Sequence, residues 1–182
     1  MEHSPHITVE RVTAPAVQPL SLAEVKLFLR IEHTLEDALL STLIVAACEA
    51  AEAATGRSLI TQSQRVRIGG DHYGVITLPR GPIQTIQTVA SVLDGASSTI
   101  DPESYRLHAA RGLVQLLSAP SADEIVITYV AGYGDEAGDV PSLIRQGMLQ
   151  HVVKLYEQRE DGVAAVPDLA RALYQPYREM RL

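Results

Sequence analysis

Residues 127–146, ITYVAGYGDEAGDVPSLIRQ, come nearest to a ligand-cradling motif. A β-branched run leads into Gly132, Gly134 and Gly138, and a helical run follows. Glycines between a strand and a helix can bring backbone N–H groups to a pyrophosphate at the positive end of the helix. That chemistry needs the spacing GxGxxG inside a βαβ unit, with an acidic residue about 20 positions further on. Here the spacing is GxGxxxG, no strand-like run follows the helix, and there is no phosphate-binding lysine. Asp135, Glu136 and Asp139 would place three carboxylates where a phosphate should lie. The stretch reads as an acidic corner where a sheet hands over to a helix. The three acids also lack the spacing of a calcium-binding loop, so a solvated turn is the better reading.

Other chemistry is sparser still. The histidines are His3, His6, His33, His72, His108 and His151, and only His3 and His6 stand close together. There is neither an HExxH pair nor a Cys/His set for zinc, and no GxSxG nucleophile turn. His151 falls beside an apolar stripe and reads as packed or half-exposed. The single cysteine, Cys48, sits in the Ala-rich run IVAACEAAEAA and reads as a buried, inert thiol. The expectation is no catalytic residue, no metal and no cofactor.

The C-terminal segment carries a different signal. LYQPYREMRL joins Tyr174 and Tyr177 to Arg178 and Arg181, and Arg171 lies just before it. Of the 15 basic residues only two are Lys. Arg makes planar, bidentate contacts with carboxylates, and Tyr and Arg are enriched at interface hot spots. Arg171, Tyr174, Tyr177, Arg178 and Arg181 are therefore the candidate docking residues, with a frayed terminus as the alternative.

The elements that must position these residues follow from periodicity. Residues 1–20 hold three prolines and read as an extended arm, partly strand at HITVERV. SLAE opens a helix with a capping box, Ser21 to Glu24, and the helix ends near Arg30. A longer helix is predicted after a Thr34 N-cap, with Leu39, Leu43, Ala46 or Ala47, Ala50 and Ala54 on one face and Gly56 just past its end. From 58 to 131 the period becomes 2, giving about six mostly antiparallel strands with an Asp94–Gly95 hairpin turn and a second turn near Ala110–Gly112. In IQTIQTVASVL the alternation is imperfect, and a bulge is expected around Val89 and Val92. A late helix begins with Pro141 at its first position and carries Leu143 or Ile144, Met148, Val152 and Leu155 up to about Glu160. Pro176 interrupts a last short helix. The fold class is α+β: a helical core of two N-terminal helices and the late helix, an antiparallel β insertion and a helical tail. The organisation expected is an arm over 1–20, a domain over 21–160 and a tail over 161–182.

The 182 residues suffice for one domain with a core, and hydrophobic residues make up 46%. Seven Tyr, one Phe and no Trp leave that core to Leu, Ile, Val and Ala. The net charge of −7 argues against gripping DNA or an anionic membrane. No secretory leader is read in MEHSPHITVE, and no run of about 18 apolar residues is seen, so a cytoplasmic origin and no membrane partner are expected.

LSLAEVKLFLRIEHTLEDALLSTLIVAACEAAEAATGRSLITQS resembles the opening of phage head–tail connector proteins, also called adaptor or head-completion proteins. The shared pattern is a short helix ending in LR, an acidic turn, a long Ala-rich helix, then TGR and L..Q. LPRGPIQTI, the DG hairpin, ITYVAGYG and VPSLIRQGMLQHVVKLYEQRE continue it, so the resemblance covers about 18–162. Leu155 stands where relatives often carry Trp or Phe. The resemblance implies a structural subunit in a ring, commonly twelvefold, under the portal protein of a tailed phage or a gene transfer agent. The ring would meet the next connector or tail component and let DNA pass without specific binding. It also implies that the C-terminal segment meets the portal, and that the protein resides in the particle neck. The alternatives are another connector part, a stopper or tail terminator, or a small nucleotide-binding enzyme using the glycine corner.

Overall fold

The computed structural model describes residues 6–70, 74–118, 120–158 and 165–179. The chain divides into two compact units. One is Met1–Ala14 with Thr61–Gly132, and the other is Pro15–Ile60 with Tyr133–Leu182.

The first unit is all β among its described residues, apart from two short 3-10 turns. Its strands are β1 (Ile7–Thr13), β2 (Gln62–Gly69), β3 (Val75–Thr77), β4 (Ile83–Leu93), β5 (Ala96–Thr99), β6 (Tyr105–His108), β7 (Leu113–Leu116) and β8 (Glu124–Ala131). They form a five-stranded sheet in the order β1-β2-β8-β4-β5 and a three-stranded sheet in the order β3-β7-β6. Every named pair is antiparallel. In β2 and β8 every second residue is buried, the period that one buried face dictates. Val66, Ile68, Ile125, Ile127 and Tyr129 from the larger sheet share a core with Ile76, Val114 and Leu116 from the smaller. The Tyr129 hydroxyl donates to the Pro79 carbonyl at 2.6 Å, so this buried phenol is satisfied.

Among the described residues, 58–131 hold seven strands where the sequence suggests about six. The arm supplies β1, paired with β2 from Ile7↔Ile68 to Thr13↔Ser63. The short polar β5 has no buried residue to announce it. Asp94 (φ 50°) and Gly95 (φ 79°) make the expected hairpin turn between β4 and β5. The irregularity in β4 lies earlier than expected: the register against β8 shifts at Ile83/Thr85 and Ile86/Thr88, while Val89 to Val92 pair regularly with Ile127 to Glu124.

The second unit is helical: α1 (Leu22–Leu29), α2 (Asp37–Thr55), α3 (Ser142–Glu157) and α4 (Asp168–Tyr174), the last continued by a 3-10 turn over Gln175–Tyr177. The fold is thus the expected α+β, two early helices, a β insertion, a late helix and a helical tail. At α1 the Ser21 hydroxyl accepts the Glu24 N–H at 3.2 Å and Glu24 Oε2 accepts the Ser21 N–H at 2.9 Å, the capping box read in SLAE. Arg30 ends α1 in the left-handed region at φ 58°.

Three expectations for the helices need correction. The N-cap of α2 is Glu36, not Thr34, and no side chain caps it. Thr34 accepts the Asp37 N–H through its carbonyl at 3.2 Å, because the chain turns once more before the helix starts. Glu36 and Asp37 are held sideways: Tyr156 donates its hydroxyl to Glu36 Oε2 at 2.8 Å and Lys26 lies 2.6 Å from Asp37. Pro141 is the N-cap of α3 and not its first helical residue.

The buried face of α2 is also different. Leu40, Ile44, Ala47, Cys48, Ala51, Glu52 and Thr55 are buried, while Leu39, Leu43, Ala50 and Ala54 are half-buried. Alanines occur all round this helix, so two faces offset by one residue have nearly the same period. The packing of α1, α3 and α4 around Val25, Ile144, Met148, Val152, Ala170 and Tyr174 decides between them. Glu52 is tolerated inside because its Oε1 accepts the Leu59 N–H at 3.0 Å. With 19 residues and a mean hydropathy of 1.4, α2 is long and apolar enough to cross a membrane by length and composition. Glu49 and Glu52 interrupt its apolar run, and its buried face is what a core helix presents.

Candidate docking surface

The glycine corner is a closed turn. Asp139 Oδ2 accepts the Glu136 N–H at 2.9 Å, across a 3-10 turn over Ala137–Asp139. The carboxylate that would have faced a phosphate is therefore spent inside the loop. Gly134 is glycine because Asp139 fills its side-chain space: a Cβ there would stand 2.1 Å from Asp139 Oδ2. Asp135 and Glu136 are exposed. They flank a shallow apolar groove lined by Val17, Leu22, Ile44 and Val45. Among the described residues no group of three or more His, Cys, Asp or Glu side chains could hold a metal ion. Cys48 is buried, as expected, and of the two readings of His151 the structure shows the packed one.

The C-terminal segment is pinned by neighbours through residue 179. Pro167 precedes α4 and Asp168 sits in its first turn, where the helix dipole favours an acid. The Glu179 N–H donates to the Thr55 carbonyl at 2.8 Å, and Arg57 Nε donates to the Tyr177 carbonyl. Both bonds tie the segment to the C-terminal end of α2. Burial pushes the nearby Tyr133 phenol above its ordinary value, against the Arg57 charge.

The five residues singled out in the sequence take different places. Tyr174 is 1% exposed and belongs to the core, where burial raises its phenol well above the usual range. Tyr177 is half-buried. Arg171 and Arg178 are exposed and have no ion-pair partner among the described residues. Both line a groove of about 560 Å³ with Ala50, Ala53, Ala54, Val166, Tyr174 and Gln175. Arg181 lies outside the described residues. The sequence did not suggest this groove. Its one signal was the alanine run, whose small side chains let α4 and the tail border a concave, apolar floor.

The arrangement offers apolar contact and two free guanidinium groups, which is recognition chemistry and not bond-breaking chemistry. Comparison with known proteins agrees with that reading. Residues 19–94 match the family described as phage gp6-like head-tail connector protein. No curated protein matches the sequence. Among solved structures, a chain in the neck of an empty gene transfer agent (GTA) particle computed with C6 symmetry is similar at TM-score 0.80 and 26% identity, over 96% of this chain and 97% of that one. A chain from the neck of a native GTA particle computed with C12 symmetry gives 0.78 and 28%, over 96% and 97%. A chain of the virion of a native GTA particle gives 0.77 and 26%, over 96% of both. The resemblance read in the sequence is borne out.

Proposed function

We propose, for a chain that is a structural head–tail connector of the phage and gene transfer agent neck, that it forms a ring beneath the portal protein and bridges it to the next connector or tail component. The observation that carries the reading is the similarity over nearly the whole chain to subunits of necks solved with cyclic symmetry. The C-terminal segment is the part we assign to the portal. Tyr174 seats it in the core, Tyr177 and Arg178 follow outside it, and Arg171 stands further back on α4; Arg181 is assigned with them from the sequence alone. DNA passes through the ring without specific binding, a role that suits a net charge of −7, since like charge repels the phosphates. The protein is not an enzyme on this reading. The self-filled glycine corner and the recognition chemistry of the tail support that assignment.

Mass measurement by light scattering, with negative-stain imaging, tests the reading on the protein alone and mixed with its portal. A ring in either sample is the expected result and gives the symmetry. A monomer that ignores the portal over a wide concentration range overturns it.

A further inference from the structure

The most exposed large hydrophobic side chain among the described residues is Leu35, at 90%. It sits in the turn between α1 and α2, with Glu32 on one side and Glu36 on the other. Leu27, at the end of α1, is 82% exposed. Glu32 is exposed and has no ion-pair partner among the described residues. The turn is thus an apolar knob with acidic flanks. A solvent-facing Leu in such a place has no role in the subunit's own core.

The groove under Arg171 is its complement: a floor of Ala50, Ala53 and Ala54, a wall of Val166, and unpaired guanidinium groups on the rim. The two features lie at opposite ends of α2. Leu35 stands just before its first turn, and Ala50, Ala53 and Ala54 lie in its last two turns. A helix of 19 residues spans about 28 Å at 1.5 Å per residue, so the knob cannot reach the groove of its own subunit. Only a second copy can bring the two together. Because the knob and the groove are different surfaces, the contact is heterologous, head to tail, and repeats until it closes a ring.

We infer that the Leu35 turn of one copy seats in the α2–α4 groove of the next, with Glu32 facing Arg171. This rests on the ring reading above only for closure. It assigns Arg171 to the neighbouring copy, puts Arg178 at the edge of that contact because it lines the same groove, and leaves Tyr177 and Arg181 to the portal. The groove takes an apolar side chain, and the charge pairing fixes which end enters, as electrostatic complementarity does at other interfaces.

Charge exchange tests it in the full-length chain, with self-association measured by sedimentation velocity, alone and on the portal. Glu32→Arg and Arg171→Glu are each expected to weaken self-association at least tenfold, and the double variant to recover most of it. Leu35→Asp is expected to weaken it as well. All three positions are exposed, and thermal melting checks that each variant folds. If the wild type forms rings and the variants form them equally well, the inference is overturned and the ring reading stands. If both single variants are weakened and the double is no better than either, the Glu32–Arg171 pairing is overturned. If the wild type self-associates neither alone nor on the portal, the inference and the ring reading fall together.

Discussion

Gly147 of α3 lies directly against the ring of Tyr174 in α4. A Cβ built on Gly147 would stand 2.5 Å from Tyr174 Cε1 and 3.0 Å from Cζ, well inside contact distance. The helices meet this closely because one offers no side chain and the other offers a flat ring. That contact seats the segment carrying Arg171 and Arg178.

Gly147→Ala is therefore expected to destabilise the protein. Alanine gains up to about 1 kcal/mol over glycine in a helix interior. Overpacking against a buried, immobile ring costs about 1–3 kcal/mol and wins. The expected net effect is a fall in Tm of a few degrees, measured by calorimetry. A rise in Tm would mean that α4 gives way easily.

Tyr174→Phe should behave in the opposite sense. The Tyr174 hydroxyl is buried and has no hydrogen-bond partner among the described residues. Removing an unpaired buried polar group while keeping the ring is neutral or stabilising, by up to about 1 kcal/mol. Urea unfolding of the two proteins measures it, and a loss above about 1 kcal/mol would reveal a partner for the hydroxyl.

Gly134→Ala should loosen the glycine corner. Its Cβ would displace the Asp139 carboxylate and leave the Glu136 N–H without its acceptor. Faster amide exchange at 134–139, with the rest of the chain unchanged, is the expected readout. No change there would mean that the corner can rearrange without cost.

The capping box gives a pH dependence. The N–H donated by Ser21, with its hydroxyl and the Arg145 guanidinium, holds the Glu24 carboxyl below its ordinary value of 4.5 despite partial burial. A carboxylate with a depressed folded pKa stabilises the fold above its unfolded value, and that stability is lost as pH falls through the folded one. Glu24→Gln should lower Tm at neutral pH and flatten its decline below about pH 4.5. Parallel Tm–pH curves for the two proteins would refute the assignment.

Two further measurements separate the functional readings. Arg178→Glu with Arg181→Glu should weaken portal binding at unchanged Tm, and unchanged binding would place the docking surface elsewhere. Millimolar ATP or NAD should leave Tm unmoved, whereas a rise of several degrees would revive the nucleotide-binding alternative by linkage.

The sequence by itself determined the features that depend on near neighbours. The Ser21–Glu24 box, the Asp94–Gly95 turn, the alternation of EIVITYVA and the mismatch of the glycine spacing each rest on side chains and backbone a few residues apart. The family resemblance belongs here too, being an ordered series of such local patterns. Tertiary structure decided what local pattern leaves degenerate. Alanine on every side of α2 allows several faces, and only the helices packed against it chose Leu40, Ile44, Ala47 and Ala51. Tyr174 and Tyr177 look alike in LYQPYREMRL, yet Gly147 makes room for one ring inside, while the other remains half-buried. The groove lined by Ala50, Ala53, Ala54, Val166 and Arg171 could not be read from spacing at all, because residues of α2 and α4 meet there only on folding.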